Sequence, residues 1–220
     1  GTFGGGVSRA YDINDVGQVV GHAGTTTVGV AHAFLYSAGS MIDLGTLGGS
    51  PEFAVGFSVN NAGQVVGKAQ SVAGPHAFLY SDGVMTDLGT FGGAGSFAWG
   101  INDAGQVVGY AGTSGGETHA FLYSAGSMVD LGTLGGGYSA AYGINDAGQV
   151  VGESAYQWFP APMTGPCHAF LYSAGSMTDL GTLGGSFSRA NSINDAGQVV
   201  GSASTAANPT HAFLYSAGSM

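Results

Sequence analysis

The sequence predicts an all-β fold: a five-bladed β-propeller with four antiparallel strands in each blade. Three observations predict it. The hexapeptide His-Ala-Phe-Leu-Tyr-Ser occurs five times, starting at His32, His76, His119, His168 and His211, with spacings of 44, 43, 49 and 43 residues. A self-similar period of that length marks a repeat architecture. Each repeat divides into four segments of alternating, β-branched or aromatic character, and none reaches the roughly 10–12 residues of a helix. Finally, both faces of each predicted sheet are partly apolar, so a blade must be packed on both sides.

The first segment runs small residue, aromatic, small residue, then Ile-Asn-Asp, as in Ala98-Trp99-Gly100-Ile101-Asn102-Asp103. One face carries Tyr11, Phe57, Trp99, Tyr142 and Asn191, two residues before Ile13, Val59, Ile101, Ile144 and Ile193. The other face carries Ala, Gly and Ser. Large against small is what face-to-face stacking of sheets requires. Asn-Asp-Ala-Gly then gives a hairpin, with Gly free to take positive φ. The second segment is Gly-Gln-Val-Val-Gly at 17–21, 63–67, 105–109, 148–152 and 197–201. A variable stretch follows, and then the His-Ala-Phe-Leu-Tyr-Ser strand, with His, Phe and Tyr on one face and Ala and Leu on the other. Ser-Ala-Gly-Ser turns the chain into the fourth segment, Met-x-Asp-Leu-Gly-Thr-Leu/Phe-Gly-Gly.

The unit is thus a four-stranded meander, with blades at roughly 7–49, 50–93, 94–136, 137–185 and 186–220 plus 1–6. The polar caps that end an open solenoid are missing. Residues 1–5 match the tail of a fourth segment and His211–Met220 a third segment with its turn. The reading therefore expects a ring closed by an N-terminal strand in the last blade, at a join short of the x-Asp-Leu of the other units. No signal peptide is visible, but Gly1 lies in mid-repeat, which makes that uninformative.

Composition bounds the partners. The formal charge is −10, with Arg9, Lys68 and Arg189 as the three cations. Three scattered cations cannot neutralise a phosphate backbone or dock an anionic bilayer, so nucleic acid and an anionic membrane surface are excluded. No apolar run approaches the roughly 20 residues that span a bilayer. The single cysteine, Cys167, leaves no intrachain disulfide, which a closed all-β ring does not need.

The phrases Ile-Asn-Asp-Ala-Gly-Gln-Val-Val-Gly, His-Ala-Phe-Leu-Tyr-Ser and Asp-Leu-Gly-Thr-Leu-Gly-Gly closely resemble the HAF repeat, over essentially the whole chain. The resemblance implies an extracellular or cell-surface bacterial protein. It carries no activity and no catalytic residues. The ring also looks like five-bladed lectins and glycosidases, by architecture alone.

Candidate residues fall into three groups. The repeated histidines are expected to hydrogen-bond an Asp or backbone within their own blade, because equivalent residues of a ring converge only at its channel. Eight aspartates are repeat positions: Asp15, Asp103, Asp146 and Asp195 in the turn, and Asp43, Asp87, Asp130 and Asp179 before Leu. Asn-Asp-Ala-Gly-Gln lacks the alternating carboxylates of a calcium loop, so no metal or cofactor is expected. Cys167 and His168 are adjacent in a strand and point to opposite faces, a poor nucleophile–base pair.

The variable stretches at 22–31, 68–75, 110–118, 153–167 and 202–210 share one face, where partner contacts are expected. The longest holds Tyr156, Trp158 and Phe159 among prolines. These rings suit stacking on a sugar or an apolar patch, or alternatively fold down over their own blade. Glu52, Glu117 and Glu153 reach the same face and complete the candidate ligand-binding set. The expected function is a non-catalytic binding or scaffold module that recognises polysaccharide or a surface protein. Two alternatives stand beside it: a structural building block of a surface layer or fibre, and a glycosidase using that carboxylate set.

Overall fold

A computed structural model describes residues 1–157 and 166–220. The described residues are all-β, with nineteen strands in five antiparallel sheets. The first sheet holds β1 (Gly4–Ile13), β2 (Val19–Thr25), β3 (Ala31–Ser37) and β4 (Ser40–Asp43). The second holds β5 (Ala54–Val59), β6 (Val65–Ser71), β7 (Gly74–Ser81) and β8 (Val84–Gly89). The third holds β9 (Gly92–Ile101), β10 (Val107–Thr113), β11 (Thr118–Ser124) and β12 (Ser127–Asp130). The fourth holds β13 (Ser139–Ile144), β14 (Val150–Ala155), β15 (Cys167–Ser173) and β16 (Ser176–Gly181). The fifth holds three strands, β17 (Gly184–Ile193), β18 (Val199–Thr205) and β19 (Thr210–Tyr215). Every sheet is a meander, so the predicted segments are its strands in order, four in each of the first four sheets and three in the fifth.

The turns follow from their residues. Asn14 N–H donates to Gln18 O and Gly17 N–H to Asn14 O, with Gly17 at φ 80°, and the same pattern recurs in the other four units. This is the three-residue hairpin in which a left-handed Gly follows a type I turn. At the other end of the unit Ala125 (φ 50°) and Gly126 (φ 83°) both lie in the left-handed region. Two positive φ values make the two-residue primed turn whose twist matches the strands. The Gly that ends each Gly-Gln-Val-Val-Gly is required for another reason. A Cβ at Gly109 would sit 1.9 Å from the Phe97 carbonyl oxygen, at a bulge between β9 and β10.

Four hydrophobic cores lie between successive sheets. In each, Val, Ala and Leu from the second, third and fourth strands of one sheet meet Ile or Val, Phe and Tyr of the next. Val108, Ala120, Leu122 and Leu131 thus pack on Ala141, Ile144, Val150, Phe170 and Tyr172. Phe78, Phe121 and Phe170 are fully buried in this way. The expectation that both faces of a blade need covering holds for the three inner sheets.

Two expectations are corrected. The fifth sheet contains no strand from the N-terminus, because Gly4–Ile13 is used whole by the first sheet. The aromatics of the first segment also do not share the core with the Ile two residues on. A bulge sits beside them in the first strand, between Ala10 and Asp12 and at the matching place in the second, fourth and fifth sheets. The rings instead meet from sheet to sheet: Tyr11 with Phe57 at 5.6 Å, Phe57 with Trp99 at 4.5 Å, and Trp99 with Tyr142 at 6.3 Å between centroids. Arg189 ends the series, its guanidinium 3.9 Å from the Tyr142 ring centroid.

Candidate ligand site on the variable-loop face

Four of the five His-Ala-Phe histidines are held by the aspartate of the neighbouring strand. Nδ1 of His32, His76, His119 and His168 lies 2.8 Å from Oδ2 of Asp43, Asp87, Asp130 and Asp179. The same carboxylates accept the N–H of Gly45, Gly89, Gly132 and Gly181. An ionised carboxylate only accepts, so Nδ1 carries the proton that it accepts. The pairs lock the third strand to the fourth, which is the within-blade role expected of these residues.

The five turns that begin at Asn14, Asn60, Asn102, Asn145 and Asn194 converge at the opposite end, around a cavity of about 370 Å³ that residues from every sheet line. Asn14, Asn60, Asn102 and Asn145 each donate from Nδ2 to the Asn carbonyl of the next turn at 2.8–3.0 Å. Backbone N–H of Asp15, Asn61, Asp103 and Asp146 likewise donates to the side-chain oxygen one turn further on. Asn61 stands where the other turns have Asp, and its Nδ2 donates to both Asp15 and Asp103. The turn aspartates thus tie one unit to the next. Among the described residues no group of three or more His, Cys, Asp or Glu is placed to hold a metal ion.

On the variable-loop face a second cavity of about 310 Å³ lies between the second and third sheets. Its walls are Pro75 of β7, Ala94, Gly95 and Phe97 of β9, Tyr110, Gly112 and Thr113 of β10, and Gly116, Glu117 and Thr118. Phe97 and Tyr110 are opposite in the β9–β10 ladder and stack at 4.9 Å with 25° between ring planes. Lys68 Nζ lies 4.6 Å from the Phe97 centroid, on the side of the second sheet. Burial raises the Tyr110 hydroxyl pKa above its ordinary value, so the ring offers a neutral O–H. Glu117 Oε2 sits 3.4 Å from His119 Nε2, whose ring Asp130 fixes. The cavity therefore has an aromatic wall, a phenol and a carboxylate, the mix of apolar lining and few polar groups that small ligands need.

The predicted site residues are not brought together. Glu117 lines this cavity. Glu52 belongs to the first interface, its Oε2 3.7 Å from His32 Nε2. Glu153, expected in a loop, is a β14 strand residue only 8% exposed. It faces the fifth sheet as Lys68 faces the third, because both follow Gly-Gln-Val-Val-Gly and so fall on the inner side of the strand. Tyr142 O–H donates to Glu153 Oε1 at 2.8 Å, and Tyr138 O–H reaches the same oxygen at 3.4 Å. Burial, then the Glu153 charge, drives the Tyr142 pKa far up; burial above all pushes the Tyr138 hydroxyl up to about 12. Tyr156 packs on His168 of its own sheet, ring centroids 4.3 Å apart. Trp158 and Phe159 lie outside the described residues.

Sequence reasoning missed Phe97 and Tyr110. The signal lay in the residue after Gly-Gln-Val-Val-Gly: His22, Lys68, Tyr110, Glu153 and Ser202. One position that varies in a strand otherwise repeated marks a place where the interface is not generic.

Fold and site together define an all-β repeat protein with a propeller-like arrangement of sheets about one cavity. No family model matches the chain, and no curated protein matches it. A solved structure that does match is TolB from Acinetobacter baumannii, with a TM-score of 0.58 at 12% identity. The match covers 90% of this chain and 49% of that one, so the chain spans about half the length of that protein. At this identity the likeness is one of fold.

Proposed function

We propose that the chain is a non-catalytic, extracellular binding module of the HAF-repeat kind, in which five units present the variable-loop face to a polysaccharide. The observation that carries this reading is the 310 Å³ cavity walled by the stacked Phe97 and Tyr110 with Glu117 at its edge. A sugar ring has an apolar C–H face and a rim of hydroxyls. The face stacks on an aromatic wall; the rim is read by a few fixed donors and acceptors, here the Tyr110 O–H and the Glu117 carboxylate. Glycoside hydrolysis takes two carboxylates about one bond. Glu117 is the one carboxylate among the described residues of the cavity wall, which supports a binding role over a hydrolytic one.

The test is a glycan array with wild type, Phe97→Ala and Glu117→Gln, and Trp158→Ala beside them for the longest loop. Phe97→Ala should weaken binding more than tenfold, and Glu117→Gln several-fold. Glycan binding indifferent to Phe97 removes this cavity as the site, and no binding to any glycan removes the reading.

A further inference from the structure

The three Lys and Arg side chains of the sequence all lie on one rung of the repeat. The rung is the cross-strand pair made by the residue that opens each variable stretch. In three sheets it carries a cation: Arg9 opposite His22, Lys68 opposite Val55 and Arg189 opposite Ser202. In the third sheet it is Phe97 opposite Tyr110, and in the fourth Ala140 opposite Glu153. The turns at the other end of the same two strands carry Asp15, Asp103, Asp146 and Asp195. One end of these strands is therefore acidic, and the rung gathers the positive charge.

None of these cations is matched by a carboxylate. The chain has 13 Asp and Glu to its 3 Lys and Arg, so partners are plentiful. Yet every ion pair among the described residues has a histidine as its cation. The cations face rings instead. Lys68 Nζ lies 4.6 Å from the Phe97 centroid and 5.8 Å from that of Phe53. The Arg189 guanidinium lies over Tyr142, and its Nε is buried with no hydrogen-bond partner among the described residues. The rings between them are continuous, Phe97 to Trp99 at 6.4 Å and Trp99 to Tyr142 at 6.3 Å. This makes an aromatic wall with a cation at each end, and Lys68, Phe97, Trp99, Tyr142 and Arg189 are all half-buried. The rung's one carboxylate, Glu153, is buried and already accepts the Tyr142 O–H. A ring face answers only part of a cation's charge. Burial accordingly lowers the Lys68 pKa from its ordinary value.

We infer that the loop-face ligand is an acidic oligosaccharide, its sugar rings stacked on Phe97 and Trp99 and its anionic groups paired with Lys68 and Arg189. The inference rests on the polysaccharide reading and names the class of sugar within it. Arg189 can hold a carboxylate or a sulfate through two parallel N–H donors, and Lys68 meets the same groups as a point charge. The apolar faces of the sugars take the rings between the two cations. The net charge of −10 repels a densely charged polyanion. The ligand that fits therefore carries isolated anionic groups separated by uncharged sugar faces.

The test is an array of matched pairs. Hyaluronan, alginate and polygalacturonate oligosaccharides stand beside their methyl esters, and keratan sulfate oligosaccharides beside their desulfated forms. Calorimetry then measures the tightest binder and its neutral partner. The acidic member should bind about tenfold more tightly or better at low ionic strength, with a gap that narrows as salt rises. Whether the carboxylated or the sulfated pairs show the gap identifies the anionic group. Lys68→Met and Arg189→Gln should each shrink the gap several-fold, and Lys68→Arg should keep it. Phe97→Ala should weaken both members, and circular dichroism checks that every variant folds. Equal affinity within every pair overturns the inference and leaves the polysaccharide reading standing. A gap that survives both Lys68→Met and Arg189→Gln overturns it as well, because the charge is then read elsewhere. No binding in any pair removes the polysaccharide reading, and this inference with it.

Discussion

Leu35 and Leu214 occupy the same place in the same hexapeptide, which makes them a controlled pair. Leu35 is 7% exposed and packs in the core between the first two sheets; Leu214 is 53% exposed on the bare face of the fifth. Truncation to Ala removes three carbons in each case. At about 0.8 kcal/mol per buried carbon the transfer term is roughly 2 kcal/mol at Leu35 and about half that at Leu214. A cavity term applies only where solvent cannot fill the space, which raises the Leu35 cost to about 3 kcal/mol and leaves Leu214 near 1. The assay is urea denaturation at a protein concentration low enough to keep single chains. With a slope of about 2–3 kcal/mol per molar, the two midpoints should differ by roughly 0.7–1 M. Equal losses would show that Leu214 is covered in the single chain and would refute the exposed fifth-sheet face.

Two further outcomes follow from the turns and the single cysteine. Ala125 holds φ 50° in a primed turn, a conformation that costs a non-Gly residue roughly 1–2 kcal/mol and Asn much less. Ala125→Asn should therefore raise stability by about 0.5–1 kcal/mol, read from the same urea curves; a loss would mean that the turn is not left-handed. Burial, and secondarily the Glu153 charge, pushes the Cys167 thiol up to about 11 from an ordinary value of 9.0. Native protein at pH 8 should label with a thiol reagent orders of magnitude more slowly than in denaturant. The sign for stability follows: between pH 9 and 11 the unfolded thiol ionises first, so stability falls as pH rises through that window, and Cys167→Ser removes this part of the slope. Fast native labelling would refute the burial.

Local chemistry was legible in the sequence, and composite geometry was not. Asn-Asp-Ala-Gly and Ser-Ala-Gly-Ser specify their turns because a left-handed Gly is a property of four residues. The histidine–aspartate pairs were legible for a similar reason: strand alternation and the short turn bring His119 opposite Asp130. Glu153 was misplaced because the sequence does not say where β14 ends. One further turn of alternation carries the side chain from the loop to the inner face, under Tyr142. Tyr142 in turn moved because one extra residue in the first strand re-aims every side chain beyond it. A bulge leaves no mark in an alternating pattern of small and aromatic residues.

The same reasoning explains why closure was expected and is not seen. Two apolar faces per sheet dictate that every sheet be flanked, and four interfaces obey. The pattern of residues fixes what each face must meet, but not the rotation between neighbouring sheets. The side chains at the interfaces also differ: Lys68 against Phe97 at one, Glu153 beneath Tyr142 at another. The requirement for a partner is thus local and repeated, while the identity of the partner is global. A repeat that specifies its neighbour so fully leaves Leu214 and Ile13 half bare wherever that neighbour is not beside them.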